Sequence, residues 1–380
     1  MTRSPPRDPR HVVEELFRRR RAADYTVLDD LIATDMVNHA AGPQGREGLK
    51  TILRTIEVDL GPTELEQHHL ICEGDFVVQH VTLHGKHRAS TMPLLAGAPV
   101  TGRPAEWTFL HIWRVVDGML VEHWACRDRL TVGVITPHTA AGPEVELPRM
   151  TRGRVDTIVS RPVSPAPASQ APSRAAAPAH AELRASTQPA ALDRAAVAFS
   201  GRALAAVAHA STTSGYVVGR REEDALIERL SQRFDVPAVA SCQAAAAALR
   251  THGVEQVQLV HPPWFDDEFD ELGAAYFRSQ GFDAVVTKAV SLVAAPASVH
   301  QQRVIDWVER HVEDRAQAVF LAGNGFHAAG AVEELELRTG RLIVAANQAL
   351  LWGILAATRT RWDVTGHGRL LRSSTATTEL

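Results

Sequence analysis

The chain has few cysteines, few lysines and no long apolar run. Its three cysteines, Cys72, Cys126 and Cys242, are far apart and form no CxxC pair, so we expect reduced thiols in a cytoplasmic protein rather than a disulfide framework. No run reaches the roughly 18 apolar residues that span a membrane. Residues 1–6 contain no apolar segment of the kind found in signal peptides. A formal net charge of −4 gives no reason to expect nucleic-acid binding.

The composition is that of a globular protein with more than one core. The chain has 380 residues, 45% of them hydrophobic and 22% charged, which is enough for two domains of ordinary size. We expect domains at residues 1–128 and 129–380, a small-molecule partner, and no membrane or nucleic-acid partner.

Residues 1–128 change from helical to strand periodicity. The patterns predict helices at 10–23 and 47–58 and strands at 64–72, 75–84, 105–116 and 119–126, with Asp117-Gly118 as a hairpin turn. Helices followed by an antiparallel meander indicate an α+β domain.

Three segments of this domain, residues 76–87, 99–107 and 112–124, resemble the SnoaL-like polyketide cyclases. The resemblance implies a cone-shaped α+β barrel around an apolar pocket with one or two acid/base groups. Ala125 stands where the family usually has an aspartate, and Asp128 stands at another of its acidic positions. Four histidines could point into the pocket or be structural or surface residues: His39, His80, His111 and His123.

From residue 129 onward strands and helices alternate, which indicates a parallel, doubly wound α/β domain. Strands are predicted at 131–136, 154–159, 204–210, 237–241, 256–261, 283–290, 317–322 and 341–346, and helices at 188–200, 221–233, 243–252, 266–280, 299–314, 328–339 and 347–359. The order is doubled, since strand 204–210 leads into Ser211–Gly215 and strand 317–322 into Gly323–Gly325. We therefore expect two pseudo-two-fold lobes, with Pro/Ala-rich residues 160–187 as an internal loop.

The second polar turn, Gly323-Asn324-Gly325, follows an unalternated apolar run typical of a strand buried on both faces. Gly323 and Gly325 permit a positive φ and a close backbone approach, and Asn324 offers a donor and an acceptor. A helix beginning at residue 328 would favour an anion here. A plain strand-to-helix turn is the alternative interpretation.

Residues 129–360 resemble the aspartate/glutamate racemase superfamily, in particular its maleate cis-trans isomerase and arylmalonate decarboxylase branch. The motifs that carry the resemblance are 132–137 with 143–147, 208–219, 236–239, 243–244, 257–263, the Gly-Asn-Gly turn and 344–352. The resemblance implies chemistry at two facing cysteine positions, which match Ser211 and Gly323 here. A two-cysteine mechanism is therefore not expected, because a serine hydroxyl needs an adjacent base to act in place of a thiolate.

These resemblances give a set of candidate site residues. The candidates for catalysis are Ser211, Asn324, His327, Cys242, His138 and Asp128, and those for substrate binding are Thr212, Thr213, Ser214, Tyr216, Gly323, Gly325, Thr139, His261 and Asn347. His209 is a further proton-transfer candidate. For each histidine the alternative is a turn residue without a catalytic role, and for Cys242 it is an inert buried thiol.

Three hypotheses for function follow. The first is a cofactor-independent isomerase or lyase, such as a decarboxylase, that acts on a small carboxylate through an enolate-like or carbanion-like state in the C-terminal domain. The second places cyclase- or isomerase-type acid/base chemistry in the N-terminal pocket, with the C-terminal domain binding ligand. The third is a non-catalytic ligand-binding fusion. We also expect a homodimer, and the fusion suggests a place in specialised metabolism.

Overall fold

The computed structural model describes residues 8–21, 24–40, 42–92, 100, 102, 104–127, 129–161, 180–289, 292, 300–360, 362 and 364–372. The chain divides into two compact units. The first comprises Met1–Arg129 with Arg152–Arg154, and the second comprises Leu130–Thr151 with Val155–Leu380. Of the helices in the described ranges, none is long and apolar enough to cross a bilayer.

The first unit combines three helices with one sheet. Its elements are α1 (Pro9–Arg21), α2 (Val27–Leu31), β1 (Ile32–Asn38), α3 (Gly45–Leu60), β2 (Glu64–Glu73), β3 (Phe76–Lys86), β4 (Pro104–Val116) and β5 (Met119–Arg127). The apolar side of α1, including Leu16 and Phe17, packs with Val77, Trp113 and other residues into a buried core. The predicted helices and hairpins of this unit are present, and the cone-shaped barrel stays a prediction.

Strand β1 was not predicted. The sheet order is β1-β5-β4-β3-β2, and β1 pairs with β5 in parallel while the other neighbours are antiparallel. Residues 32–38 alternate weakly between buried and exposed positions and include two charged or polar side chains in their centre. Their strand conformation therefore depends on pairing with β5, which is a distant contact that local periodicity does not reveal.

The second unit contains two parallel four-stranded sheets. Its first half holds β6 (Leu130–Ile135), α4 (Pro143–Met150), β7 (Val155–Ser160), α5 (His180–Ala185), α6 (Pro189–Phe199), β8 (Ala206–His209), α7 (Thr212–Val218), α8 (Arg220–Phe234), β9 (Ala238–Ala240) and α9 (Ser241–Thr251). Its second half holds β10 (Gln256–His261), α10 (Asp267–Ser279), β11 (Asp283–Lys288), α11 (Gln301–His311), β12 (Ala318–Leu321), a 3₁₀-helix (Ala329–Ala331), α12 (Val332–Thr339), β13 (Leu342–Ala345), α13 (Ala346–Ala357) and α14 (Arg369–Arg372).

The two sheets repeat one strand order. It is β7-β6-β8-β9 in the first half and β11-β10-β12-β13 in the second, so each sheet has its second, first, third and fourth strands side by side. All neighbours that pair do so in parallel. The chain changes direction between the first and third strands of each sheet, and ligands of open α/β sheets bind beyond the carboxyl ends of strands at such a switch point.

Two local predictions in this unit need correction. The helix after Gly323–Gly325 begins at Val332 and not at residue 328, because a 3₁₀-helix at Ala329–Ala331 comes first. Within the segment predicted as the 160–187 loop, His180–Ala185 form helix α5. Residues 162–179 of that segment lie outside the described residues.

Candidate active site

The carboxyl ends of β6 and β8 bring His138 and Ser211 together. Nε2 of His138 lies 3.0 Å from Oγ of Ser211 and 3.4 Å from Oγ1 of Thr213. The two hydroxyl oxygens are 3.2 Å apart. His138 follows the first strand of its sheet and Ser211 follows the third, so the pair spans the switch point of this lobe. The sequence named all three residues but could not pair them.

Ser211 is the N-cap of α7, and its Oγ accepts a hydrogen bond from the backbone N–H of Ser214 at 3.0 Å. Capping fixes the serine rotamer because the hydroxyl oxygen must face the first turn of the helix. The hydroxyl hydrogen remains available, and the nearest acceptor is the imidazole. Ser211 is fully buried, so its geometry is set by the protein.

Burial lowers the pKa of His138 to about 4, with a contribution from the positive charge of Arg161. The imidazole is therefore neutral at neutral pH and can accept the Ser211 hydroxyl hydrogen at Nε2. His209 lies at the end of β8, where burial also lowers its pKa to about 4. Neither ring nitrogen of His209 has a hydrogen-bond partner among the described residues.

Asn324 joins the two predicted turns. Its Oδ1 accepts from the backbone N–H of Thr212 at 3.1 Å, and its Nδ2 donates to Oγ of Ser241 at 3.0 Å and to Oδ1 of Asn347 at 2.8 Å. Both amide hydrogens are thereby used, and Asn324 is 2% exposed. The two turns therefore meet directly, and the first-turn amide of Thr212 is occupied by a protein side chain.

Asn347 extends this bridge to a buried carboxyl group. Its Nδ2 donates to Oε2 of Glu146 at 2.7 Å and to the carbonyl oxygen of Asn324 at 2.9 Å. Glu146 also accepts from the backbone N–H of Ala329 at 2.9 Å, and burial raises its pKa. A Cβ added at Gly142 would overlap the carbonyl oxygen of Asn324, so the first lobe touches the second turn through bare backbone.

The glycines of the second turn differ from each other. Gly323 has φ +94°, as the turn requires, whereas Gly325 is not among the glycines with positive φ. A Cβ at Gly325 would make only ordinary contact with Ala140. His327 precedes the 3₁₀-helix rather than lying in a first helical turn, and its Nε2 lies 2.6 Å from the carbonyl oxygen of Ala141.

Tyr216 of α7, Cys242 and His261 form a second group of buried residues. The Cys242 thiol lies 3.3 Å from the carbonyl oxygen of Thr212, and burial raises its pKa well above the usual value. This environment disfavours the thiolate that a relocated catalytic cysteine would need. The Tyr216 hydroxyl lies 3.3 Å from Nε2 of His261, whose Nδ1 lies 2.7 Å from Oδ1 of Asp270.

Among the described residues, no hydrogen bond or ring contact links the remaining predicted residues to His138 or Ser211. Asp128 lies outside the described residues, and Thr139 is exposed. In the first unit, Nε2 of His39 pairs with Glu122 at 2.9 Å, and Nδ1 of His80 lies 3.1 Å from Nδ1 of His69.

Sequence reasoning missed three polar partners of the predicted residues, namely Glu146, Ser241 and Asp270. Local pattern does not single out Glu146, because helix Pro143–Met150 also carries Glu144 and Arg149. Within the described residues, no group of three or more His, Cys, Asp or Glu side chains could hold a metal ion.

Comparison with known families covers most of the chain. The family model described as SnoaL-like polyketide cyclase matches residues 11–133, and the model described as arylmalonate decarboxylase matches residues 189–371. No curated protein gives a significant match.

Among solved structures, unliganded arylmalonate decarboxylase is similar to 64% of this chain over 98% of its own length, at 20% identity and a TM-score of 0.51. The maleate isomerase Iso from Pseudomonas putida S16 is similar to 64% of this chain over 99% of its own length, at 20% identity and a TM-score of 0.54. At this identity the likeness establishes a shared fold.

Proposed function

Because the chain joins a SnoaL-like domain at residues 11–133 to an arylmalonate decarboxylase domain at residues 189–371, we propose that it is an isomerase or decarboxylase of a small carboxylate. The reaction passes through an enolate-like or carbanion-like state in the C-terminal domain. The observation that carries the proposal is the 3.0 Å approach of His138 Nε2 to Ser211 Oγ at a switch point.

The Ser211–His138 pair supplies proton transfer without cysteine. A neutral imidazole next to a hydroxyl can accept its proton as a general base, and the resulting imidazolium can return a proton as a general acid. In a decarboxylation the carbon–carbon bond to a carboxylate breaks and carbon dioxide leaves. The bonding electrons remain on the substrate as an enolate, which the Ser211–His138 pair protonates. In an isomerisation the Ser211–His138 pair removes a proton from the carbon next to the carboxylate, and the resulting enolate is reprotonated on its other face or at the γ carbon of an unsaturated acid.

Thr213 and Asn324 position this pair. The Thr213 hydroxyl lies 3.4 Å from His138 Nε2. When substrate is bound, this hydroxyl can donate its hydrogen bond to the substrate oxyanion instead of to the imidazole ring. Asn324 touches neither reacting group. Its carboxamide holds the Thr212 amide, and hence the first turn of α7, against the opposite lobe. A fixed first turn keeps Ser211 in its capping rotamer, so the distance to His138 is maintained.

Proton exchange in D₂O tests the proposal across several classes of carboxylate. Aryl-substituted malonates, maleate and other small mono- and dicarboxylates are incubated with the full chain, and ¹H NMR follows loss of the Cα–H signal, cis–trans conversion or decarboxylation. We expect His138→Gln to lower turnover by about 10²–10⁴-fold, which is the usual contribution of a positioned general acid or base. We expect Ser211→Ala to lower turnover as well.

Matched controls lie in the same unit. His252→Gln changes a histidine whose Nδ1 lies 3.0 Å from the Ala248 carbonyl oxygen, and Ser231→Ala removes a hydroxyl that donates to Val236. Both controls should keep the turnover of the parent chain. If a carboxylate is converted at an unchanged rate by His138→Gln, the pair is not the proton-transfer group and the proposal is wrong.

A further inference from the structure

Arg161 is a charged residue beside the candidate site that the function proposed above does not use. It directly follows β7, and the sheet order β7-β6-β8 places the carboxyl ends of these three strands side by side. Arg161, His138 and Ser211 come after these strands in the same order. The guanidinium and the hydroxyl therefore approach His138 from its two neighbouring strands.

The Arg161 side chain binds two groups of the turn between β6 and α4. Its Nε donates to the carbonyl oxygen of His138 at 2.8 Å, and one of its terminal nitrogens forms an ion pair with Oε1 of Glu144. Oε2 of Glu144 accepts from the backbone N–H of Gly142 at 3.0 Å. Arginine can hold both partners at once because its donors form a rigid planar fork, which the ammonium group of lysine lacks. The turn that carries His138 is thus held at two points.

The other polar contacts of His138 are with uncharged groups. Its backbone N–H donates to Oγ1 of Thr136 at 3.3 Å, and its Nε2 lies close to the hydroxyls of Ser211 and Thr213. When Ser211 donates to Nε2, the neutral ring carries its hydrogen on Nδ1. The position of the His138 main chain therefore decides whether Nε2 reaches the hydroxyl.

Titratable side chains approach His138 and its turn from several elements. Arg161 follows β7, Glu144 belongs to α4, His209 ends β8, and His327 reaches the turn from the opposite lobe at a backbone carbonyl. Burial, with a contribution from Arg161, lowers the pKa of His138 to about 4. Burial also lowers the pKa of His209 to about 4, so this ring adds no charge at neutral pH. A positive charge beside a buried imidazole disfavours its protonated form.

The second lobe also has a histidine at the carboxyl end of its first strand, but a carboxylate meets it. His261 ends β10 and Lys288 ends β11. Asp270 lies 2.7 Å from His261 Nδ1 and 2.9 Å from the Lys288 ammonium. Burial lowers the pKa of His261, and Asp270 opposes this effect. In the first lobe the cation contacts the histidine directly, so the two rings meet opposite charges.

We propose that Arg161 is a positioning residue that holds the turn of His138 so that the imidazole faces Ser211. Its hydrogen bond fixes the His138 main chain, and its charge favours the uncharged ring. This role rests on the function proposed above, because Arg161 acts on the reaction only through His138.

NMR titration of the full chain, labelled with ¹³C and ¹⁵N in histidine, tests this role without substrate. His138→Gln assigns the Cε1–H signal of His138 by its absence. In Arg161→Gln we expect this signal to titrate at a pH at least about 0.5 higher than in the parent, because loss of the guanidinium leaves the Glu144 carboxylate unbalanced. His261, which has its own carboxylate, should titrate as in the parent.

Arg161→Lys separates geometry from charge. Lysine keeps the charge without the fork, so His138 should titrate as in the parent, whereas long-range ¹H–¹⁵N spectra should show a mixture of tautomers in place of the Nδ1–H form alone. For a carboxylate that the parent converts, kcat should fall about 10- to 100-fold with KM unchanged, because a small misplacement can cost about 10²-fold in rate. In Arg161→Gln the acidic limb of the pH–rate profile should also move to higher pH, since only the unprotonated ring accepts a proton.

The control is Arg315→Gln, because Arg315 is an exposed arginine of the same unit that pairs with Asp283. It should leave the titration and the tautomer of His138 unchanged. The proposal is overturned if His138 titrates in Arg161→Gln as in the parent or in step with the control, or if Arg161→Lys keeps the parent tautomer. If Arg161→Gln does not fold, the tautomer in Arg161→Lys decides. If the parent converts no carboxylate, the function proposed above is wrong, and the spectra still decide the role of Arg161.

Discussion

Replacing Asn324 by alanine should destabilise the C-terminal unit strongly. The change deletes three side-chain hydrogen bonds, to the Thr212 amide, the Ser241 hydroxyl and the Asn347 carboxamide. It leaves the Thr212 N–H and the Asn347 Oδ1 buried without those partners. A buried group left unsatisfied costs about 1–3 kcal/mol, so we expect a loss of about 2–5 kcal/mol in the free energy of unfolding.

Differential scanning calorimetry of the full chain measures this effect. In a unit of this size 1 kcal/mol corresponds to roughly 2–4 °C, so a 3 kcal/mol loss lowers the melting temperature by roughly 6–12 °C. Any transition of the N-terminal unit should stay in place and serves as an internal reference. The control is Gln302→Ala, an exposed carboxamide that donates to Asp306, which should shift melting by less than about 0.5 kcal/mol. A melting temperature for Asn324→Ala equal to that of this control would show that Asn324 does not bridge the two turns.

Two further predictions concern buried groups of the same unit. Burial raises the pKa of Glu223 from 4.5 to about 7, so its contribution of about 3 kcal/mol to stability is present below pH 4.5 and is lost as pH rises through 7. In urea unfolding at a series of pH values, Glu223→Gln should abolish this fall in stability, whereas Glu222→Gln, which changes an exposed neighbour, should retain it. An unchanged pH profile for Glu223→Gln would contradict the assignment. Gly142→Ala should lower the free energy of unfolding by about 1–3 kcal/mol, because the added Cβ would overlap the Asn324 carbonyl oxygen. Gly325→Ala should lower it by less, and equal melting temperatures of the two variants would argue against close contact of the lobes.

Much of the architecture could be predicted from local pattern. The strands of the second unit are short apolar runs, and the predicted strand 256–261 agrees with β10 at both ends. The repeated polar turns at Ser211 and Gly323 indicated two related lobes, and the strand orders agree with that expectation. Periodicity succeeded here because burial on both faces leaves a continuous apolar signature.

The candidate site was less accessible to sequence reasoning, because its defining contacts join distant residues. His138 and Ser211 are 73 positions apart, and Thr212 and Asn324 are 112 apart. Composition does not indicate which polar groups are hydrogen-bonded to other groups inside the protein. Asn324 is an example, since the sequence suggested an open donor and acceptor, whereas the structure places both within the protein. The 3₁₀-helix at Ala329–Ala331 was also hidden, because its alanines fit an α-helix equally well.

Helix α13 carries a consequence for synthesis of the chain on the ribosome. Its residues 346–355 are all buried, and Gly353 is packed so closely that an added Cβ would meet Val239 and Ala244 of the first half. The first half of the unit therefore leaves the ribosome with an apolar surface exposed. Helix α13, which packs on that surface, is synthesised about 100 residues later, as the distance in sequence from Ala244 to Ala346 shows. Nascent chains stalled before α13 should consequently be clients for chaperones that bind exposed apolar segments, and release of the last helix should end that dependence.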